Sequence, residues 1–142
     1  VAVSEPKMAR LPQDLRGLHG LILNRGELHA CAAPGHSEQQ ALADLHQRGV
    51  RQLIVTDGAA GVLCSEIDRD PQQLSAPDAR VIDVTGAGDA FSAGVCAALY
   101  QSPSQDLISA ARLGLRLAAL TLQTEATVHP DINPAWLETQ TP

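Results

Sequence analysis

The amino-acid sequence predicts an α/β fold built on a mostly parallel sheet. Segments patterned as strands alternate with segments patterned as helices, and a helix pair follows them. The strand candidates are continuous apolar runs, as expected where helices cover both faces of a sheet. Aromatic residues make up only 2% of the chain, so the core must be built from Leu, Val, Ile and Ala. The 142 residues suit one compact domain with a modest core.

Val1–Ser4 reads as a strand already under way, stopped by Glu5-Pro6. With no initiator Met, the chain reads as a piece of something longer. Met8–Leu15 reads as a short helix. Gly20–Leu23 is an apolar run, a buried strand ending at Asn24. Ser37 and Gln40 have the spacing of a capping box. The helix they open runs to Gly49, with Ala41, Leu42 and Leu45 on one face. Gln52–Thr56 is the clearest strand. Asp57-Gly58 marks a tight turn, and Gly61–Cys64 the return strand of a hairpin. Residues 66–78 are polar, contain Pro71 and Pro77, and read as a loop or edge excursion. Arg80–Ile82 reads as a short strand running into the glycine-rich residues 85–88. A helix follows from Asp89 to Leu99 or Tyr100. Ser104 then caps a second helix from Gln105 to about Gln123. The tail carries Pro130, Pro134 and Pro142, with a short helix at Ala135–Leu137.

Composition excludes several classes of partner. The net charge is −6 and the pI near 5.2, which argues against nucleic acid, since phosphate contacts need Lys and Arg patches. No apolar stretch approaches the ~20 residues of a membrane span, and no basic leader opens the chain. Cys31, Cys64 and Cys96 are an odd set with no CxxC, and read as reduced thiols of a cytoplasmic protein. His19, His29, His36, His46 and His129 match no common zinc spacing and read as surface or loop residues. Arg112 and Arg116, one turn apart, read as a solvated helix face.

In open α/β sheets, ligands sit beyond the carboxyl ends of the strands. Three polar features fall there: Asn24 to Glu27, Thr56 to Gly58, and Asp83 to Asp89. The third is the most telling. Gly86 and Gly88 let the backbone turn with its N–H groups outward, at a helix N-terminus where the macrodipole favours an anion. A phosphate, or the charge on a transferring phosphoryl group, fits there. Asp89 follows at once. Buried beside those dipoles, its carboxylate can take the proton from an attacking hydroxyl. The plainer reading is that Asp89 merely caps the helix. No Gly-Lys-Ser/Thr follows, so this is not a Walker A loop.

The string Asp83-x-Thr85-Gly86-Ala87-Gly88-Asp89, followed by Ala90-Phe91-Ser92-Ala93-Gly94, resembles the signature of the ribokinase-like (pfkB) carbohydrate and nucleoside kinases. The resemblance implies a three-layer α/β/α fold, of which residues 1–142 form the C-terminal, ATP-binding and catalytic part, without the N-terminal substrate and lid half. It implies ATP as donor, Asp89 as base, and the N–H groups of Gly86, Ala87 and Gly88 as the anion hole for the γ-phosphate. Asn24-x-x-Glu27 fits the family's Asn-x-x-Glu motif. That implies Asn24 on phosphate oxygens and Glu27 holding a water of Mg²⁺, an ion that keeps most of its waters. Thr56-x-Gly58-x-x-Gly61 resembles the nucleotide-binding hairpin. Asp83 and Thr85 resemble ligands of a monovalent cation, K⁺, whose shell the residues around Ala126 to Pro130 complete.

The acceptor is less specified. Asn24-Arg25-x-Glu27 and the tail Thr124–Ile132 are similar to the pseudouridine kinase branch, which implies transfer to the 5′-hydroxyl of pseudouridine. Leu23 stands where that branch has Pro, and Glu5 where the family has Asp. A sugar kinase for ribose or fructose is the alternative. A reading of another class is a non-catalytic nucleotide-binding fragment, though Asp89 and both glycines are intact. Family members pair through the lid, which implies a homodimer for the full-length protein.

Overall fold

Pro6 stands in the first turn of the first helix, α1 (Glu5–Met8), where a missing N–H forfeits no hydrogen bond. The sequence suggested a helix over Met8–Leu15 instead. It does not form, because Pro12 interrupts that stretch and Leu15 enters the core from a loop. The structure, a computed structural model, describes residues 1, 4–126 and 128–140. The strand expected at Val1–Ser4 falls on Ala2 and Val3, outside the described residues.

The chain divides into two units, Val1–Leu74 and Ser75–Pro142. In the first, the apolar run becomes strand β1 (Leu21–Asn24), followed directly by α2 (Arg25–Cys31). Helix α3 (Glu38–Gln47) opens with the expected capping box. Ser37 Oγ accepts the Gln40 N–H at 3.3 Å, and Gln40 Oε1 accepts the Ser37 N–H at 2.8 Å. Strand β2 (Gln52–Thr56) lies parallel to β1, with Leu21 opposite Leu53 and Asn24 opposite Thr56. A 3₁₀ turn (Gly58–Ala60) leads into β3 (Val62–Glu66), antiparallel to β2. Within the polar stretch 66–78, Gln72–Leu74 forms β4 on the far edge of β3. The sheet order is β1-β2-β3-β4. The mostly parallel sheet expected from sequence is corrected in one respect: of the three pairings here, one is parallel and two are antiparallel. The hairpin turn reverses β3, and the short 66–71 connection reverses β4.

The core of this unit is aliphatic, as the composition required. Leu23, Leu28, Leu45, Val50, Leu53 and Val55 are all buried, bringing β1, α2, α3 and β2 together. Burial of this kind contributes about 1.5–3 kcal/mol for each large side chain.

The second unit is led by two helices, α4 (Ala87–Gln101) and α5 (Leu107–Thr121). A Cβ on Gly94 would lie 2.7 Å from Gly114 Cα, and one on Gly114 would lie 2.7 Å from the Phe91 carbonyl oxygen. Only glycine at both positions permits that crossing. The cap of α5 is Asp106, whose Oδ1 accepts the Ser109 N–H at 3.0 Å, and not Ser104. Residues 102–105 form a turn first, closed by Gln105 N–H to Ser102 O at 2.9 Å. Helix α6 (Pro134–Gln140) extends the short helix expected near Ala135. Arg80–Ile82 is not a strand. The N–H groups of Ile82 and Asp83 both go to Leu122 O, at 2.7 and 3.4 Å, and no strand among the described residues pairs with this segment. Val81, Ile82 and Val84 are accordingly exposed. No helix among the described residues is long and apolar enough to cross a membrane.

Candidate functional site

Parallel pairing of β1 with β2 puts Asn24 and Thr56 side by side at the carboxyl ends of their strands. Asn24 is exposed there and is the N-cap of α2. Its Oδ1 accepts the Glu27 N–H at 2.8 Å, while Glu27 Oε2 accepts the Asn24 N–H at 2.8 Å. The motif is thus a capping box, with Glu27 only 5% exposed. Its spacing is the capping-box spacing, and that signal was present in the sequence beside the ligand reading. The box occupies Asn24 Oδ1 and Glu27 Oε2. The Asn24 side-chain N–H groups and Glu27 Oε1 have no partner among the described residues. The arrangement therefore leaves the Asn24 amide group and one Glu27 carboxylate oxygen free to meet a ligand.

After Thr56 the chain turns sharply. Asp57 N–H donates to Gly61 O at 2.9 Å, and Gly58 and Gly61 take φ of +52° and +94°. A Cβ at Gly58 would meet nothing within 4 Å, so the outer face of the turn is open.

The other group of residues lies in the second unit. Asp83 Oδ1 accepts the Thr85 N–H at 2.9 Å, and the hydrogen bonds from Thr85 hold the Asp83 carboxyl below the usual carboxylate range. The carboxylate stays ionised and folds the strap that leads into the glycines. Gly86, at φ +82°, is the N-cap of α4, and no side chain caps that helix. The Ala87 N–H reaches Val84 O only at 3.4 Å. The N–H groups of Gly86, Gly88 and Asp89 have no acceptor among the described residues. These are the orphan donors of a helix start, left free where α2, α3 and α5 fill one with a side chain.

Gly88 is the informative residue. A Cβ there would meet nothing within 4 Å, and its backbone is not left-handed. Neither packing nor conformation asks for glycine, which weakens a helix by roughly 0.5–1 kcal/mol relative to Ala. Space beside the free N–H groups is what its missing side chain provides. Ser92, buried one turn on, donates to Gly88 O at 2.9 Å and steadies the turn.

Asp89 is the third residue of α4 and is exposed. It does not cap the helix, since Gly86 holds that position. The burial expected for it is corrected: its side chain is exposed to solvent in the first turn of the helix. For the monovalent cation, Asp83 and Thr85 are close to each other, and Ala126 donates its N–H to Thr124 Oγ1 at 3.1 Å. Thr127 lies outside the described residues. Two histidines have structural partners that spacing did not reveal. His46 sits between Val50 O at 2.7 Å and Ser65 Oγ at 2.8 Å, and His36 pairs with Asp44 at 2.8 Å.

Known proteins resemble this chain along most of its length. It is 28% identical over 137 residues to the pseudouridine kinase of Escherichia coli (strain K12), covering 94% of this chain and 43% of that protein. The solved ribokinase of Thermotoga maritima superposes with a TM-score of 0.72 at 18% identity, over 98% of this chain and 45% of that one. Aminoimidazole riboside kinase from Salmonella enterica, solved with aminoimidazole riboside and an ATP analogue, superposes with a TM-score of 0.69 at 26% identity, over 84% of this chain and 40% of that one. The chain spans less than half the length of each of these relatives. The fold is ribokinase-like. Residues 2–134 match the pfkB family of carbohydrate kinases, and this chain belongs to that family.

Proposed function

We propose that the natural protein carrying this chain transfers the γ-phosphoryl group of ATP to a primary hydroxyl of a nucleoside or sugar, with the 5′-hydroxyl of pseudouridine as the preferred acceptor. The observation that carries the reading is the uncapped start of α4: free N–H groups at Gly86 and Gly88, an open face at Gly88, and an exposed Asp89 in the same turn. The Asp89 carboxylate takes the proton of the acceptor hydroxyl as its oxygen bonds to phosphorus. The bond from phosphorus to the β-phosphate oxygen breaks, and ADP leaves. The N–H groups of Gly86, Ala87 and Gly88 hold the equatorial oxygens throughout, donors preorganised where charge gathers.

Asn24 contributes its free amide N–H groups to phosphate oxygens. Thr56 offers its hydroxyl to the nucleotide, and the Gly58–Gly61 turn admits the nucleotide to backbone distance. The cap uses Glu27 Oε2, so Glu27 Oε1 would hold a water of Mg²⁺, an ion that when bound would neutralise phosphate charge. Asp83 and Thr85 would hold K⁺, whose charge would steady the segment that leads into the nest.

The pseudouridine preference rests on Asn24-Arg25-x-Glu27 and the tail around His129. Leu23, in place of the Pro of that branch, favours the second reading, a ribose or fructose kinase. A panel of pseudouridine, ribose, fructose and adenosine, assayed with ATP on the natural full-length protein in K⁺ and in tetramethylammonium, tests both readings. Pseudouridine turns over fastest, and K⁺ raises the rate. A ribose-only result overturns the acceptor, indifference to the cation removes K⁺, and nucleotide binding without transfer to any of the four establishes a binding module instead.

A further inference from the structure

Arg25 occupies an unfavourable place by the standards of its own helix. It is the first residue of α2, at the positive end of the helix dipole, where cations are disfavoured. Two carboxylates outside α2 compensate it. Arg25 Nε donates to Glu38 Oε2 at 2.7 Å, and Nη1 donates to Asp57 Oδ2 at 2.6 Å. Glu38 opens α3, and Asp57 stands between Thr56 and the Gly58–Ala60 turn. One planar guanidinium thus ties the start of α2, the start of α3 and the turn after β2. The three side chains are 45%, 32% and 30% exposed, so water partly screens the pairs. Their geometry is specific nonetheless, because a guanidinium fork fixes the angle between its two partners where an ammonium does not.

The charge count matters as well. Two carboxylates share one guanidinium, and no other cationic side chain among the described residues pairs with either. Without Arg25, two negative charges would stand uncompensated around the turn that carries Thr56 and Gly58. That charge would oppose a polyphosphate.

We propose that Arg25 is a positioning residue for nucleotide binding. It holds the Thr56–Gly61 turn against the start of α2 and masks the carboxylates of Asp57 and Glu38. The inference rests on the kinase reading above and adds to it a residue of no direct chemical role.

The test compares wild type, Arg25→Gln, Arg25→Lys and the double variant Arg25→Gln/Asp57→Asn in the natural full-length protein. Steady-state kinetics in ATP are measured at low and high salt, with urea unfolding in parallel. Arg25→Gln should raise the KM for ATP about fivefold at low salt, less at high salt, with kcat changed less than about twofold. Arg25→Lys, which keeps the charge and loses the fork, should fall between. Adding Asp57→Asn should recover part of the KM by removing an unmasked charge. An unchanged KM in Arg25→Gln, or a fall in kcat alone, overturns the proposal. If Arg25→Gln does not fold, Arg25→Lys decides: a raised KM supports the clamp and a wild-type KM overturns it. A wild type that transfers no phosphoryl group from ATP overturns the kinase reading first and the clamp with it.

Discussion

Residues 24–27 and residues 86–89 both open a helix, and they treat their free N–H groups in opposite ways. Asn24 and Glu27 close on each other in a capping box, which Arg25 braces from outside. Gly86 leaves its helix uncapped, Gly88 leaves an open face, and Asp89 stays exposed. A closed cap stabilises the chain by itself. An open one gives up that stability and keeps its donors for something else. The same contrast runs along α4. Gly94 is glycine because α5 presses against it, whereas nothing among the described residues presses on Gly88.

The largest effect is expected at the open end. Asp89→Asn keeps the shape of the side chain and removes the proposed base, so transfer should fall about a thousandfold, within the range general-base catalysis supplies. Nucleotide affinity should stay within about threefold, since the N–H groups remain. Turnover like the wild type would show that Asp89 is not the base. A smaller effect is expected at the closed end. Asn24→Ala removes a cap, and urea unfolding should show a loss of about 1 kcal/mol. If stability is unchanged while nucleotide affinity collapses, residues 24–27 belong with the open end, and the contrast fails.

Local chemistry was legible in the sequence, and long-range pairing was not. β2 was read at its observed limits because Leu53, Ile54 and Val55 form an unbroken apolar run. The α3 cap was read because Ser37 and Gln40 carry both halves of it. Arg80–Ile82 has the composition of a strand, yet a strand needs a neighbour, and its N–H groups go to the end of α5 instead. Ser104 and Asp106 are both good caps in isolation; the turn from Ser102 to Gln105 selects the second. At the site, the glycines and Asp89 were visible as a pattern, but the exposure of Asp89 depends on which side of the turn it faces. The partners of Arg25 are remote in sequence, so no spacing announces them.

Gly88→Ala tests the contrast most directly, with Gly94→Ala as its counterpart on the same helix. Both add one methyl group, and both are measured for stability in urea and for phosphoryl transfer from ATP in the natural full-length protein. Gly94→Ala should lose about 1–3 kcal/mol of stability, because its Cβ would meet Gly114 backbone at 2.7 Å. Gly88→Ala should gain about 0.5 kcal/mol from helix propensity and yet slow transfer by about tenfold or more, because the methyl stands where the phosphate approaches. A Gly88→Ala protein that is more stable and equally active would contradict the assignment of residues 86–89 as the phosphoryl-transfer site.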